Sequence, residues 1–131
     1  MKRIKLAVLV DDDTIEHKLY TRVLEKSGLV DEIKSFYYAD EFLEFLKGDD
    51  VPHIDVIFLD INMPRMTGFE FLETAASELG REYAKMVVVM LTNSLLPEER
   101  VRAETIDIVK MFLEKPLTID NVQQISEMLP T

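Results

Sequence analysis

A single carboxylate, Asp60, stands directly after a run of apolar residues. The run, Val56 to Leu59, has no polar alternation and contains two β-branched residues, which is typical of a strand covered on both faces. Asp11 and Asp12 follow a second such run. Because ligands of an open parallel sheet bind beyond the carboxyl ends of its strands, we expect these carboxylates to meet at one edge.

Carboxylates at this spacing repel one another unless a cation lies between them. The chain has no cysteine, and neither of its histidines, His17 and His53, has a convergent partner in the sequence. Ligands that are all oxygen favour a hard ion, with Mg²⁺ first. We therefore predict a magnesium site and treat both histidines as structural or exposed.

Two further polar side chains fall at strand ends of the same kind. Thr92 follows the apolar run Met86 to Leu91, and Lys115 follows a short run, Met111 to Leu113. A carboxylate beside a metal ion can act as a nucleophile toward a phosphoryl group. Metal and ammonium would offset the charge on the phosphoryl oxygens, since phosphoryl transfer depends on positioning and electrostatics. The pattern predicts phosphoryl chemistry.

Five predicted strands alternate with five predicted helices along the chain. The strands are Ile4 to Val10, Ile33 to Tyr38, Val56 to Leu59, Met86 to Leu91 and Met111 to Leu113. The helices run from Thr14 to Ser27, from Asp40 to near Gly48, from Gly68 to near Gly80, from Leu95 to Glu104 and onward from Thr118. This alternation predicts an α/β fold with a parallel sheet, helices on both faces and right-handed crossovers. We expect one domain over residues 1–131 and no attached output domain.

The helix ends carry predictions of their own. Asp13 with Glu16 predicts a capping box, Gly28 predicts a left-handed helix end, and Asp40 and Thr118 predict side-chain caps. Apolar residues recur at helical spacing at Ile15, Leu19, Val23 and Leu24 in the first helix, at Phe69, Leu72 and Ala76 in the third, and at Ile119, Val122, Ile125 and Leu129 in the fifth.

The charge of the chain limits its partners. Acidic residues number 25 against 15 basic ones, so the net charge is −10 and phosphate backbones and anionic membranes are repelled. No apolar run approaches the roughly 20 residues that a membrane span needs. We expect a cytoplasmic protein that binds neither nucleic acid nor membrane.

Several short motifs occur in a fixed order. They are Val10-Asp11-Asp12, Leu59-Asp60-Ile61-Asn62-Met63-Pro64 with Gly68, Leu91-Thr92, and Lys115-Pro116. Together they resemble the receiver domain of two-component response regulators, the CheY-like family, over nearly the whole chain. The resemblance implies a flavodoxin-like sheet with strand order 2-1-3-4-5, in a phosphorylation switch that is not an enzyme beyond slow self-phosphorylation and self-dephosphorylation.

The resemblance also implies roles for the acidic residues. Asp60 would accept a phosphoryl group from a phosphohistidine of a sensor histidine kinase or a histidine phosphotransfer protein. Asp12 and Asp60 would bind Mg²⁺ directly together with the main-chain carbonyl of Asn62, while Asp11 would act through water. Mn²⁺ is the alternative ion.

The remaining implied roles concern the switch. Thr92 and Lys115 would contact phosphoryl oxygens, and the Lys115-Pro116 bond would be cis. Phe112 stands at the aromatic switch position, where many members have Tyr. Phosphorylation would draw the Thr92 loop inward, bury Phe112 and change partner binding through the fourth predicted helix, the fifth strand and the fifth predicted helix.

Three other functions compete with this interpretation. A phosphatase resembling the haloacid dehalogenases needs a second Asp two residues after the nucleophile, where this chain has Asn62. A flavodoxin-like cofactor binder needs hydroxyls and glycines where Asp11 to Asp13 stand. A non-phosphorylated docking module would be supported by the loss of Asp60 or Lys115, and both are present.

Overall fold

One parallel sheet positions the predicted site residues, which lie in or directly after its strands. The computed structural model describes residues 2–130. Within them the strands are β1 (Ile4–Val10), β2 (Val30–Phe36), β3 (Val56–Asp60), β4 (Val88–Thr92) and β5 (Val109–Glu114). The helices are α1 (Thr14–Ser27), α2 (Ala39–Leu46), α3 (Gly68–Glu78), α4 (Arg81–Ala84), α5 (Pro97–Glu104) and α6 (Ile119–Met128). None of these helices is both long and apolar enough to cross a bilayer.

The strands lie in the order β2-β1-β3-β4-β5, and every neighbouring pair is parallel. The predicted fold class and strand order are therefore confirmed. The order reverses between β1 and β3, because the chain first adds β2 on one side and then crosses to the other. Ligands of such sheets bind at this reversal, outside the carboxyl ends of the strands.

The central strands are buried on both faces. One face of the sheet packs against α2, α3 and α5, and its core includes Val8, Val10, Ile57, Leu59 and Met90. The other face packs against α1 and α6, and its core includes Ala7, Leu9, Phe58, Val89 and Leu91. Strands with two covered faces have no need for polar alternation, which is why their sequences are continuous apolar runs.

The predicted bounds fail mainly outside the sheet centre. β2 spans Val30–Phe36 instead of starting at Ile33, since Val30 pairs with Ile4 although this edge strand is only half-buried. The structure also shifts β4 to Val88–Thr92 and extends β5 to Val109–Glu114. The prediction of five helices is wrong, because a single-turn helix, α4, follows Gly80.

Two of the predicted caps need correction. Asp13 does cap α1 by accepting the N–H groups of Ile15 and Glu16, but its own N–H donates to Asp11 Oδ1 at 2.9 Å, so no capping box with Glu16 forms. Asp40 is not a cap: it lies in the first turn of α2, and its carboxylate pairs with Arg65.

The other two caps match the prediction. Gly28 ends α1 with a left-handed φ of 71°. Thr118 caps α6 and accepts the N–H of Asn121 at 3.1 Å.

The inward face of α1 also differs from the apolar spacing. Ile15 and Leu19 are 66% and 42% exposed, and the buried residues are His17, Tyr20 and Leu24. The cause is that His17 and Tyr20 both bind Asp11, which rotates their side of the helix toward the sheet. Smaller corrections of the same kind apply elsewhere: Ala75 is buried in place of Ala76, and Ile119 is 38% exposed.

Gly68 generates a prediction about how closely α3 approaches the end of β3. A Cβ at this position would lie 2.5 Å from the main-chain oxygen of Asp60 and 3.1 Å from Ile61 Cα. Because those atoms are backbone, Gly68→Ala should lower the free energy of unfolding by about 1–3 kcal/mol, measured by urea denaturation. Gly48→Ala, whose Cβ would meet only Phe45 O at 3.3 Å, is the control and should cost less. Equal stability of wild type and Gly68→Ala would contradict the prediction.

Candidate functional site

Three carboxylates from two adjacent strand ends meet at the carboxyl edge of the sheet. Asp11 and Asp12 follow β1, and Asp60 ends β3, which is hydrogen-bonded to β1. One carboxylate oxygen from each of the three residues lies within 4.8 Å of the other two. Asp11 and Asp60 are buried, at 1% and 6% exposed, whereas Asp12 is exposed. The cluster therefore has a buried floor and one carboxylate open to solvent.

Lys115 connects the two buried carboxylates. Its Nζ lies 3.0 Å from Asp11 Oδ2 and 3.2 Å from Asp60 Oδ1, and its side chain is only 6% exposed. The residue is fixed at the end of β5 because its N–H donates to Thr92 O at 2.8 Å. The peptide bond between Lys115 and Pro116 is cis.

Asp11 is held by groups that the sequence analysis did not identify. The hydroxyl of Tyr20 donates to Asp11 Oδ2 at 3.0 Å, and His17 Nε2 lies 2.6 Å from the main-chain oxygen of Asp11. Both side chains come from the buried face of α1 and present a polar atom at the tip of a ring. A ring with a polar tip on the inward face of a helix is the sequence feature that could have indicated these contacts. The same feature is also common in ordinary cores.

Burial and neighbouring charges shift the pKa values of Asp60, Lys115 and Tyr20. Burial first and then the charge of Asp11 raise the pKa of Asp60, Lys115 opposes both effects, and the net result is a pKa of about 6. Burial alone would lower the pKa of Lys115, but its hydrogen bond to Asp11 and the charges of both carboxylates outweigh burial, so the pKa is raised. The pKa of Tyr20 is raised by burial and then by Asp11, which keeps the phenol a hydrogen-bond donor.

The donor set fits a divalent metal ion. Three carboxylates face one ammonium, so the cluster has an excess of negative charge that one divalent cation would balance. All the side-chain donors are oxygens, which suits Mg²⁺. Asn62, whose carbonyl is the further expected ligand, is an exposed residue of the loop between β3 and α3.

The two residues predicted to act in the switch lie on β4 and β5. Thr92 ends β4 and is fully buried, and its hydroxyl donates to Ser94 O at 2.8 Å while accepting the Ser94 N–H at 3.1 Å. Phe112 on β5 is 8% exposed, with the Arg100 guanidinium 5.2 Å from the ring centroid. Phosphorylation was expected to bury this ring, and the structure already has it buried.

The loop after Asp60 is anchored to α2. Arg65 has a left-handed φ of 71°, stacks on the Tyr38 ring with its guanidinium carbon 4.1 Å from the centroid, and pairs with Asp40. The hydrogen bond from Arg65 lowers the pKa of Asp40. The sequence predicted that Asp40 caps α2, but its carboxylate pairs with Arg65 instead. The contact holds this loop against α2.

The fold and this strand-end site define a known class of protein. The model of the response regulator receiver domain matches residues 7–127, which is nearly the whole chain. The chain therefore belongs to the receiver domain family of response regulators. Members of this family work with histidine kinases in two-component systems, and most act as phosphorylation switches.

Individual relatives support the same assignment. The two-component response regulator ARR16 of Arabidopsis thaliana is 30% identical over 88% of this chain and 74% of its own length. The sensor histidine kinase RcsC of Escherichia coli is 28% identical over 91% of this chain and 12% of its own length. A solved structure of a two-component response regulator from Cytophaga hutchinsonii superposes with a TM-score of 0.87 at 27% identity and covers 96% of both chains.

The raised pKa of Asp60 predicts how stability depends on pH without divalent metal. The carboxyl has a pKa of about 6 in the folded protein against 3.8 as its ordinary value. A raised folded pKa means that the stabilisation is complete below about pH 4 and is lost as pH rises through 6. In EDTA, Asp60→Asn should therefore be more stable than wild type at pH 7.5, by about 2 kcal/mol after allowance for solvent screening.

Urea unfolding of both proteins at several pH values measures this difference. The advantage of Asp60→Asn should shrink between pH 7 and pH 4. Asp49→Asn, which changes an exposed carboxylate in the loop before β3, serves as the control. A stability difference that does not vary with pH would contradict the assigned electrostatics.

Proposed function

We propose that this receiver domain accepts a phosphoryl group on Asp60 from a phosphohistidine and thereby switches the binding of a downstream protein. The observation that carries the proposal is the meeting of Asp60 with Asp11, Asp12 and Lys115 at the carboxyl edge of the sheet. Phosphoryl transfer needs a nucleophile, a cation and positioned donors, and this cluster offers the residues for each.

The hydrogen bonds favour Asp60 over Asp11 as the nucleophile. A carboxylate has about four acceptor positions. Asp11 accepts from Tyr20, Lys115 and the Asp13 N–H, while Asp60 has Lys115 as its side-chain partner within residues 2–130. Asp60 therefore retains more free lone pairs than Asp11. Because the pKa of Asp60 is about 6, its carboxyl is mostly ionised at pH 7.

The transfer itself is a displacement at phosphorus. An Asp60 carboxylate oxygen forms the new bond to phosphorus, and the bond from phosphorus to the histidine nitrogen breaks. The nitrogen leaves with the electron pair, and because the other ring nitrogen of the phosphohistidine carries a proton, the product on the partner is a neutral imidazole. Lys115, already 3.2 Å from Asp60, pairs with a phosphoryl oxygen of the product.

Magnesium belongs to this proposal. Asp12, Asp60 and the Asn62 carbonyl would hold the ion directly, and Asp11 would act through water. When bound, the ion supplies positive charge to the phosphoryl oxygens. The support is the negative excess of the cluster and its oxygen-only donor set.

The partners in the proposal are a histidine kinase or a phosphotransfer protein upstream and a protein target downstream. The similarity to a segment of the sensor histidine kinase RcsC supports the upstream partner. The proposed output surface is α5, β5 and α6, reached from the site through Thr92 and Phe112. A cytoplasmic location completes the proposal.

Incubation with MgCl₂ and a small acyl phosphate tests the chemistry, with intact mass as the measurement. Wild type should gain one phosphoryl group that is labile in base, because an acyl phosphate is hydrolysed readily. Asp60→Asn should gain none, and EDTA should abolish the adduct in wild type. Asp49→Asn should react like wild type.

Two results would contradict parts of this proposal. An adduct that persists in Asp60→Asn would place the phosphoryl group elsewhere. An adduct that forms equally well in EDTA would refute the role of magnesium.

Thr92→Ala separates phosphorylation from the conformational response. The Thr92 hydroxyl must exchange its bond to Ser94 O for a phosphoryl oxygen, so its removal should cost the active conformation about 1 kcal/mol, or roughly fivefold in population. We expect the adduct still to form, while the phosphorylation-dependent changes of amide chemical shifts in α5 and β5 become smaller. Thr74→Ala on α3 is the control. Unchanged shift differences in Thr92→Ala would refute this route.

A further inference from the structure

Tyr20 is a buried phenol whose hydroxyl reaches into the acidic cluster. The side chain lies on α1 and is 2% exposed. Its hydroxyl donates to Asp11 Oδ2 at 3.0 Å, and its ring lies 6.0 Å from Lys115 Nζ. None of the steps proposed above uses this residue.

The acceptor positions of Asp11 show what the hydroxyl does. Each carboxylate oxygen has two lone pairs. Oδ2 accepts from Tyr20 and from Lys115, so both of its positions are filled, while Oδ1 accepts the Asp13 N–H and keeps one position free. Three donors from three directions fix the rotation of the carboxylate. The free position of Asp11 is then the one on Oδ1.

Lys115 is the group that would compensate for loss of the hydroxyl. Without it, Oδ2 would have an unfilled acceptor position in a site from which water is largely excluded, and an unpaired buried acceptor is costly. The nearest strong donor is the Lys115 ammonium, which is now shared at 3.0 Å with Asp11 and 3.2 Å with Asp60. Lys115 would move toward Asp11 and away from Asp60.

We propose that Tyr20 is a positioning residue of the phosphoacceptor site: by donating to Asp11 Oδ2, it fixes the Asp11 carboxylate for the metal ion and leaves Lys115 shared with Asp60. This inference rests on the proposed function, since it concerns the same site. Tyr20 does not touch the reacting atoms and acts through Asp11. Groups that orient a metal ligand commonly change metal affinity by 10–100-fold when removed.

Titration with MgCl₂ alone tests this role without any phosphoryl donor. The chain contains no Trp, so amide chemical shifts around Asp60 serve as the signal. Tyr20→Phe should bind Mg²⁺ about tenfold more weakly than wild type. The matched control is Tyr83→Phe, which removes a phenol hydroxyl on α4 and should leave the affinity unchanged. Equal affinities of wild type and Tyr20→Phe would overturn the proposal.

A second arm separates positioning from a general structural effect. In the Asp11→Asn background, adding Tyr20→Phe should change the Mg²⁺ affinity by less than about twofold, because coupled residues are not additive. The same tenfold loss in both backgrounds would show that Tyr20 does not act through Asp11, and it would overturn the proposal. The amide spectra also report whether each variant is folded.

The rate of phosphorylation by a small acyl phosphate distinguishes failure of this inference from failure of the proposed function. At saturating MgCl₂, Tyr20→Phe should react several-fold more slowly than wild type, because Lys115 is drawn from Asp60. If wild type forms the adduct and Tyr20→Phe matches it in rate and in Mg²⁺ affinity, only the role of Tyr20 is refuted. If wild type forms no adduct at Asp60, the proposed function fails whatever Tyr20 does.

Discussion

The ammonium of Lys115, shared between two buried carboxylates, is the interaction on which the rest of this site depends. Asp11 and Asp60 are both buried, and a buried charge without a partner costs several kcal/mol. Lys115 reaches them from the end of β5, 104 residues along the chain from Asp11. This contact is possible only because the parallel order brings the ends of β1, β3 and β5 to one edge. The register of the sheet and the charge balance of the site are therefore one constraint.

The charges of the site do not balance, and the excess of negative charge bears on the proposed metal binding and on the pKa of Asp60. One ammonium cannot offset three carboxylates, and burial together with the remaining repulsion from Asp11 raises the pKa of Asp60 to about 6. Selection for stability alone would replace one of these acids with an uncharged residue. Functional sites commonly retain destabilising groups because the function requires them. The excess charge would favour a divalent cation, and of the two buried carboxyls Asp60 has fewer hydrogen-bond donors than Asp11.

The sequence predicts those features that one physical signal dominates. β1, β3 and β4 were recognised because strands covered on both faces are continuous apolar runs, and the acidic cluster followed from their shared edge. β2 was misplaced because an edge strand is half-exposed and carries polar residues. Asp40 failed as a cap because Arg65, distant in sequence, competes for its carboxylate. Tyr20 was missed because a tyrosine on an inward helical face is usually core, and only the folded structure shows that its hydroxyl meets Asp11.

The chemistry of the site also determines part of the surface of α1. A helix can turn only one face toward the sheet, and here that face carries His17 and Tyr20, whose polar tips bind Asp11. Rotating these two residues inward moves Ile15 and Leu19 outward, where they are 66% and 42% exposed. Complete burial of a large apolar side chain stabilises a fold by roughly 1.5–3 kcal/mol, and the exposed parts of these two side chains do not contribute it. The helix thus gives up apolar burial to hold Asp11, because binding its carboxylate through Tyr20 and its main-chain oxygen through His17 requires polar groups that Ile and Leu cannot supply.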